Sequence, residues 1–322
     1  MLFQALLICL LVNVYFGESA EVVMGSVRRP KGVSIEAQNQ KIRDFWTPEK
    51  LKAAKSLDII LPKVPQGRTS ANLNASNGPP SSVPGTVPSA NSRLIKAINS
   101  NGRQVYTTGK VFFQGADGGY YLCSAAIVSS TTGDLVATAG HCVYDTDRRV
   151  WFNSYWVFIP SYSNGNRPYG TWPARNFLAL TSWTNYRDYN YDVGFVALST
   201  LNGWHIQSYL GSQGIGFNFR RSKYTYAFGY PYNLDGGNYL KSCIGYARNP
   251  TGAGSSYRGQ RLSCNMGGGC GGGPWLQYVN KATGVGYVTA VNSFGISSAP
   301  NYIYGPYFDS STQYLYDLAK KT

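Results

Sequence analysis

The chain contains two histidines, and one of them, His141, stands near the end of the run Leu135-Val136-Ala137-Thr138-Ala139-Gly140-His141-Cys142. The apolar stretch predicts a buried strand that runs into a tight turn and presents the imidazole. An imidazole held in this way suits general base chemistry. Further along, Tyr191-Asp192-Val193-Gly194-Phe195 puts a carboxylate at the head of an apolar strand. A buried carboxylate needs a partner, and an imidazole N–H is a suitable one. The second histidine, His205 in Gly203-Trp204-His205-Ile206, fits no such pattern and is expected in a loop or at the surface.

Cysteine usage supplies a second lead. Six cysteines occur, but Cys9 lies in the apolar run 2–16, followed by small residues at Gly17, Ser19 and Ala20. Residues 1–19 read as a secretory signal peptide, too short to span a membrane comfortably. Its removal leaves five cysteines in an oxidising, extracellular setting, so one thiol stays unpaired or is shared between chains. No second long apolar run follows, which excludes a polytopic membrane protein. With 43% hydrophobic, 15% aromatic and 14% charged residues, a disordered polyelectrolyte is excluded too.

Positioning the imidazole and the carboxylate requires a rigid scaffold, and the chain from 94 to 322 predicts one. Short apolar or alternating runs at 104–113, 120–128, 135–139, 156–159, 193–198, 224–229 and 286–294 are separated by Gly, Asn, Ser and Pro clusters. This spacing predicts an all-β sandwich or barrel. At the end, Asp309 or Ser310 can cap a helix carrying Tyr314, Leu315 and Leu318.

Residues 20–93 have a different composition, with no Tyr and no Cys. Phe45-Trp46-Thr47-Pro48-Glu49-Lys50 predicts a short amphipathic helix, capped by Thr47, with Pro48 first and Leu51, Ala54 and Leu57 at helical spacing. From 62 to 92 the Pro, Ser, Asn and Gly content predicts an extended linker, with an exposed glycosylation sequon at Asn74. This segment is expected to be a prosegment or a flexible arm. The net charge of +14 suits either an anionic partner such as a sulfated glycan or simple solubility. Lys and Arg are not clustered into a nucleic-acid surface.

Thr138-Ala139-Gly140-His141-Cys142, Asp192 in its apolar strand, and Gly269-Cys270-Gly271-Gly272-Gly273-Pro274 together resemble the chymotrypsin-fold secreted serine peptidases, in the trypsin-like and glutamyl-endopeptidase-like branch. Phe228-Gly229-Tyr230-Pro231, Cys264-Asn265-Met266, Pro274-Trp275 and Tyr304-Gly305-Pro306-Tyr307 support it. The resemblance implies two packed antiparallel β-barrels, about 104–205 and 213–308, with a cleft between them and a C-terminal helix at about 309–320. It also implies disulfides Cys123–Cys142 and Cys243–Cys264, each closing a loop of about 20 residues and stabilising by roughly 3 kcal/mol on chain-entropy grounds. His141 would be the general base and Asp192 the residue that orients it. No metal or cofactor is expected.

The departure from that family is at the nucleophile. Reading back from Pro274 without a gap puts Gly271 where the family carries serine, and glycine has nothing with which to attack a carbonyl. Gly269 and Gly271 would still offer backbone N–H groups as an oxyanion hole. A second register, with one extra glycine before Pro274, makes Cys270 a substitute nucleophile resembling that of viral cysteine peptidases, in a turn expected to be loose because six glycines flank it. A third use of Cys270 is a buried thiol or an intermolecular disulfide. Asn265 stands where basic-specific members carry Asp, and Ser293-Phe294-Gly295 resembles the segment that pairs with the substrate backbone. Three readings follow: a non-cleaving homologue that binds an extracellular peptide, protein or glycan or regulates a protease, an active Cys270 endopeptidase, and a Tyr/Gly-rich matrix component.

Overall fold

The structure, a computed structural model, describes residues 20–57, 59–62, 78–88, 106–250 and 256–322. The signal peptide 1–19, the Asn74 sequon and most of the linker lie outside the described residues.

The N-terminal arm begins with β1 (Val22–Ser26), α1 (Ile35–Phe45) and α2 (Pro48–Ala53), followed by the short strands β2 (Lys55–Ser56), β3 (Ile60–Leu61) and β4 (Ser81–Val83). In α2 Thr47 accepts from the Lys50 N–H and Pro48 takes the first turn, as the local sequence dictates. Helix α1, capped by Ser34, is an addition to the sequence reading. The arm packs firmly, because Ile42, Trp46, Leu51 and Ala54 share a buried cluster with Phe112, Leu122, Val157 and Ile159. Trp46 also donates its indole N–H to Tyr155 O at 2.6 Å.

The first barrel is built from β5 (Thr108–Gln114), β6 (Tyr120–Ile127), β7 (Leu135–Thr138), the small hairpin β8 (Tyr144–Asp145) and β9 (Val150–Trp151), β10 (Ser154–Pro160), β11 (Trp172–Leu180) and β12 (Gly194–Leu198). Its order β11-β10-β5-β6-β7-β12 closes through the β11–β12 pairing, so six strands have no free edge within the ring. On its outside, β1 pairs with β11 and β2 with β6.

The second half comprises β13 (Gly214–Phe217), β14 (Tyr224–Gly229), β15 (Lys241–Tyr246), β16 (Gln260–Ser263), β17 (Pro274–Gln277), β18 (Tyr287–Val291), β19 (Phe294–Ile296) and β20 (Ala299–Gly305). They form sheets β15-β14-β17-β18-β13-β4 and β16-β20-β19-β3, joined by a bridge between Arg248 and Arg261. The all-β class is as expected, and most pairings are antiparallel. Three short ones, β2–β6, β3–β19 and β13–β18, are parallel. The C-terminal helix Ser310–Ala319 starts at Asp309, whose carboxylate accepts from the Ser311 and Thr312 N–H groups. Both expected disulfides form, Cys123–Cys142 tying β6 to the turn after β7, and Cys243–Cys264 tying β15 to the chain after β16.

Candidate active-site cleft

Strand β7 delivers His141 into a single helical turn, Gly140–Cys142, fixed by the disulfide to Cys123. Asp192, fully buried just before β12, faces it and uses both carboxylate oxygens. Oδ1 accepts from the His141 backbone N–H at 2.8 Å, and Oδ2 lies 2.8 Å from Nδ1. Ser293 Oγ adds a short hydrogen bond to Oδ2. A carboxylate on Nδ1 holds the ring proton there and leaves Nε2 as the basic nitrogen.

Nε2 points at Gly271. A Cβ added to that glycine would land on Nε2 and lie 2.9 Å from Cε1. Position 271 therefore aims its side-chain direction at the base, and the imidazole fills the space a side chain would take. Cys270 is turned elsewhere. Its Cβ packs against Gly229, and the residue belongs to a buried cluster with Ala227, Met266 and Trp275 in the second half of the molecule.

The glycine turn is pinned from three sides. Asn292, fully buried, donates through Nδ2 to Phe228 O and Cys270 O and accepts from the Trp275 indole at 2.7 Å. Ser124 donates its hydroxyl to Gly269 O, and its backbone N–H donates to Gly271 O at 2.7 Å. Thr138 Oγ1 donates to Ser124 O, beneath Gly272, whose φ of +81° suits only glycine without strain. Side chains distant in sequence thus give the turn the rigidity that its own composition lacks. Among the described residues, no acceptor lies on the N–H of Gly269 or Gly271.

Beside the turn lies a cavity of about 440 Å³ lined by Asn265, Met266, Cys270, Ser293, Phe294 and Gly295 among others. Asn265 is exposed at its margin, whereas Met266 and Phe294 are buried in its wall. Under Phe294 sits Tyr257, ring centroids 5.2 Å apart. Burial, with the Asp192 carboxylate adding to it, pushes its phenol well above the ordinary range, so Tyr257 stays neutral. His205 lies outside this site, half-exposed and 2.6 Å from Asp134. Sequence reasoning did not find Ser124, Asn292 or Tyr257, because only the fold brings them to the turn.

Among the described residues, one group has the spacing of metal ligands, Cys123, His141 and Cys142. Its two sulfurs are bonded to each other and Asp192 holds Nδ1, so it does not fit a metal ion.

The fold recurs in known proteins. The thermostable serine protease AL20 from an extremophilic microorganism is 37% identical, with 67% of this chain and 98% of that one covered at a TM-score of 0.62. The protease Anisep from Arthrobacter nicotinovorans is 36% identical, covering 68% and 98% at a TM-score of 0.61. The chain belongs to the chymotrypsin-fold serine proteases. A Glu endopeptidase shares the fold of this serine protease homologue at 16% identity and a TM-score of 0.54. The extracellular metalloprotease of Bacillus subtilis (strain 168) is 35% identical over 83 residues, a match that spans only 25% of that protein's length and 26% of this chain. No family model matches the chain.

Proposed function

We propose that this serine protease homologue is secreted and holds an extended peptide in its cleft without cleaving it. The observation that carries the reading is the glycine at the position facing His141 Nε2. Acyl transfer needs a nucleophile whose proton the base removes, and Gly271 offers neither. The remaining parts of such a site bind rather than cut: two N–H groups for a carbonyl oxygen, main-chain donors in and just after β19, at Gly295 and Ser297, that already hold an extended segment of this chain, and a cavity for a side chain. The direction of Cys270, into a buried cluster against Gly229, weighs against its use as a nucleophile or as a link to a second chain. Burial of Tyr189, Tyr191, Tyr230, Tyr257, Tyr304 and Tyr316 gives these six a packing role, which accounts for part of the tyrosine content without a matrix role. Secretion, with residues 1–19 as signal peptide and Asn74 as an acceptor for glycan, is supported by two disulfides.

The test is incubation of the mature protein with a peptide pool, followed by mass spectrometry of the bound and free fractions. Bound peptides of unchanged mass are expected. Cleavage products that disappear in His141→Ala would overturn the reading.

A further inference from the structure

Residues 55–57 lie against one half of the protein and residues 59–61 against the other. On the first barrel, β2 runs parallel to β6, with Lys55 opposite Tyr121 and Ser56 opposite Leu122, next to Cys123. On the second, β3 runs parallel to β19, with Ile60 opposite Gly295 and Leu61 opposite Ile296. The Gly295 N–H donates to Ile59 O and the Ser297 N–H to Leu61 O, both at 2.9 Å. Between the two pairings, Leu57, Ile59 and Ile60 line the same cavity as Cys270, Gly271 and Ser293. The main-chain donors that a bound peptide would use are therefore already taken by this chain.

We infer that residues 55–57 and 59–61 are an intramolecular occupant of the cleft, and that the cleft binds an extended apolar segment in trans by strand addition to β19 once they step out. The inference rests on the reading of the cleft as a peptide site. The residues before this segment are fixed, with Trp46, Leu51 and Ala54 at 2%, 4% and 3% exposure. The segment itself is held lightly: only two residues pair on each side, Leu57 and Ile59 are half-buried, and Ile60 is 61% exposed. It can therefore leave without unpacking the arm. The described lining of the cavity contains no charged residue, and Met266, Phe294, Ile296 and Ile303 dominate its wall. That chemistry selects an uncharged branched or aromatic side chain. A tethered occupant competes at an effective concentration of about millimolar, so releasing it should raise apparent affinity by about tenfold or more.

The test uses a fluorescein-labelled peptide with the sequence of residues 55–62, titrated by fluorescence polarisation into the mature full chain and into Leu57→Asp/Ile59→Asp. Two charges at half-buried cavity positions expel the segment. Binding at least about tenfold tighter in the double variant is expected, with loss of that gain on adding Gly295→Pro, which removes the N–H donor. Leu61→Pro, which removes the segment's own main-chain donor facing β19, provides a second release variant should the double variant fail to fold. Equal affinity in wild type and a folded release variant would overturn the inference and leave the peptide-binding reading standing. Absence of binding in every folded variant would overturn both.

Discussion

Gly271 turns its side-chain direction onto Nε2 of His141, and the imidazole occupies the space in front of it. Asp192 and the Cys123–Cys142 disulfide hold that ring from behind, so it cannot withdraw freely. Adding a methyl group at 271 should therefore cost about 1–3 kcal/mol, the usual range for overpacking. Thermal unfolding of Gly271→Ala checks this, and an unchanged midpoint would mean that the ring yields without strain.

Cys270 packs in a buried cluster at 4% exposure. Its thiol should react with iodoacetamide far more slowly in the native protein than in guanidinium, and the native rate should be the same in His141→Ala. Alkylation followed by peptide mapping measures both. Fast native modification that depends on His141 would support a cysteine nucleophile.

Lys110 is buried on β5, with Nζ donating to Gly237 O at 2.8 Å. Burial, partly opposed by Asp235, lowers its pKa to about 7. A lysine whose folded value lies below its unfolded value binds more protons when unfolded, so stability rises with pH from about 7 towards the unfolded value, by at most about 1.4 kcal/mol per pH unit. Below pH about 7 the penalty is present in full. Lys110→Met should flatten the rise between about pH 7 and 9 and stabilise most at the acidic end. Urea titrations of both proteins across that range read the difference, and parallel profiles would contradict it.

Trp46 tests how far the arm is part of the fold. Its indole is 2% exposed, hydrogen-bonded to Tyr155 O and packed 5.5 Å from the Phe112 ring centroid. Trp46→Ala should cost about 3–5 kcal/mol, as for other buried aromatics. A loss below about 1 kcal/mol in denaturant would mean that the arm contributes little to global stability.

Much of the scaffold was legible because local chemistry decides it. Thr47 and Pro48 mark α2, Asp309 caps the last helix, and the alternation at 224–229 coincides with β14. Strand β11 carries Pro173, Arg175 and Asn176, which break the apolar pattern although the strand lies at the seam where the barrel closes. Helix α1 buries only Asn39 and Ile42, too little for a clear helical period. At the site, His141, Asp192 and the glycine turn could be read from their motifs. The rigidity of that turn could not, since it depends on Ser124 and Asn292, residues ordinary in sequence and brought in by β6 and the end of β18. The pairing of Ile60 and Leu61 with β19 was equally hidden, because nothing local in the arm specifies so distant a partner.

The central claim, that only a side chain at 271 is missing from an otherwise assembled site, is tested most directly by a serine-reactive phosphonate. Wild type, Gly271→Ser and Gly271→Ser/His141→Ala are labelled in parallel, and the modified residue is located by mass spectrometry. The account predicts no label on wild type, slow labelling of Gly271→Ser at residue 271 because the imidazole must shift, and none when His141 is removed. Labelling of wild type, or no labelling of a folded Gly271→Ser, would contradict it.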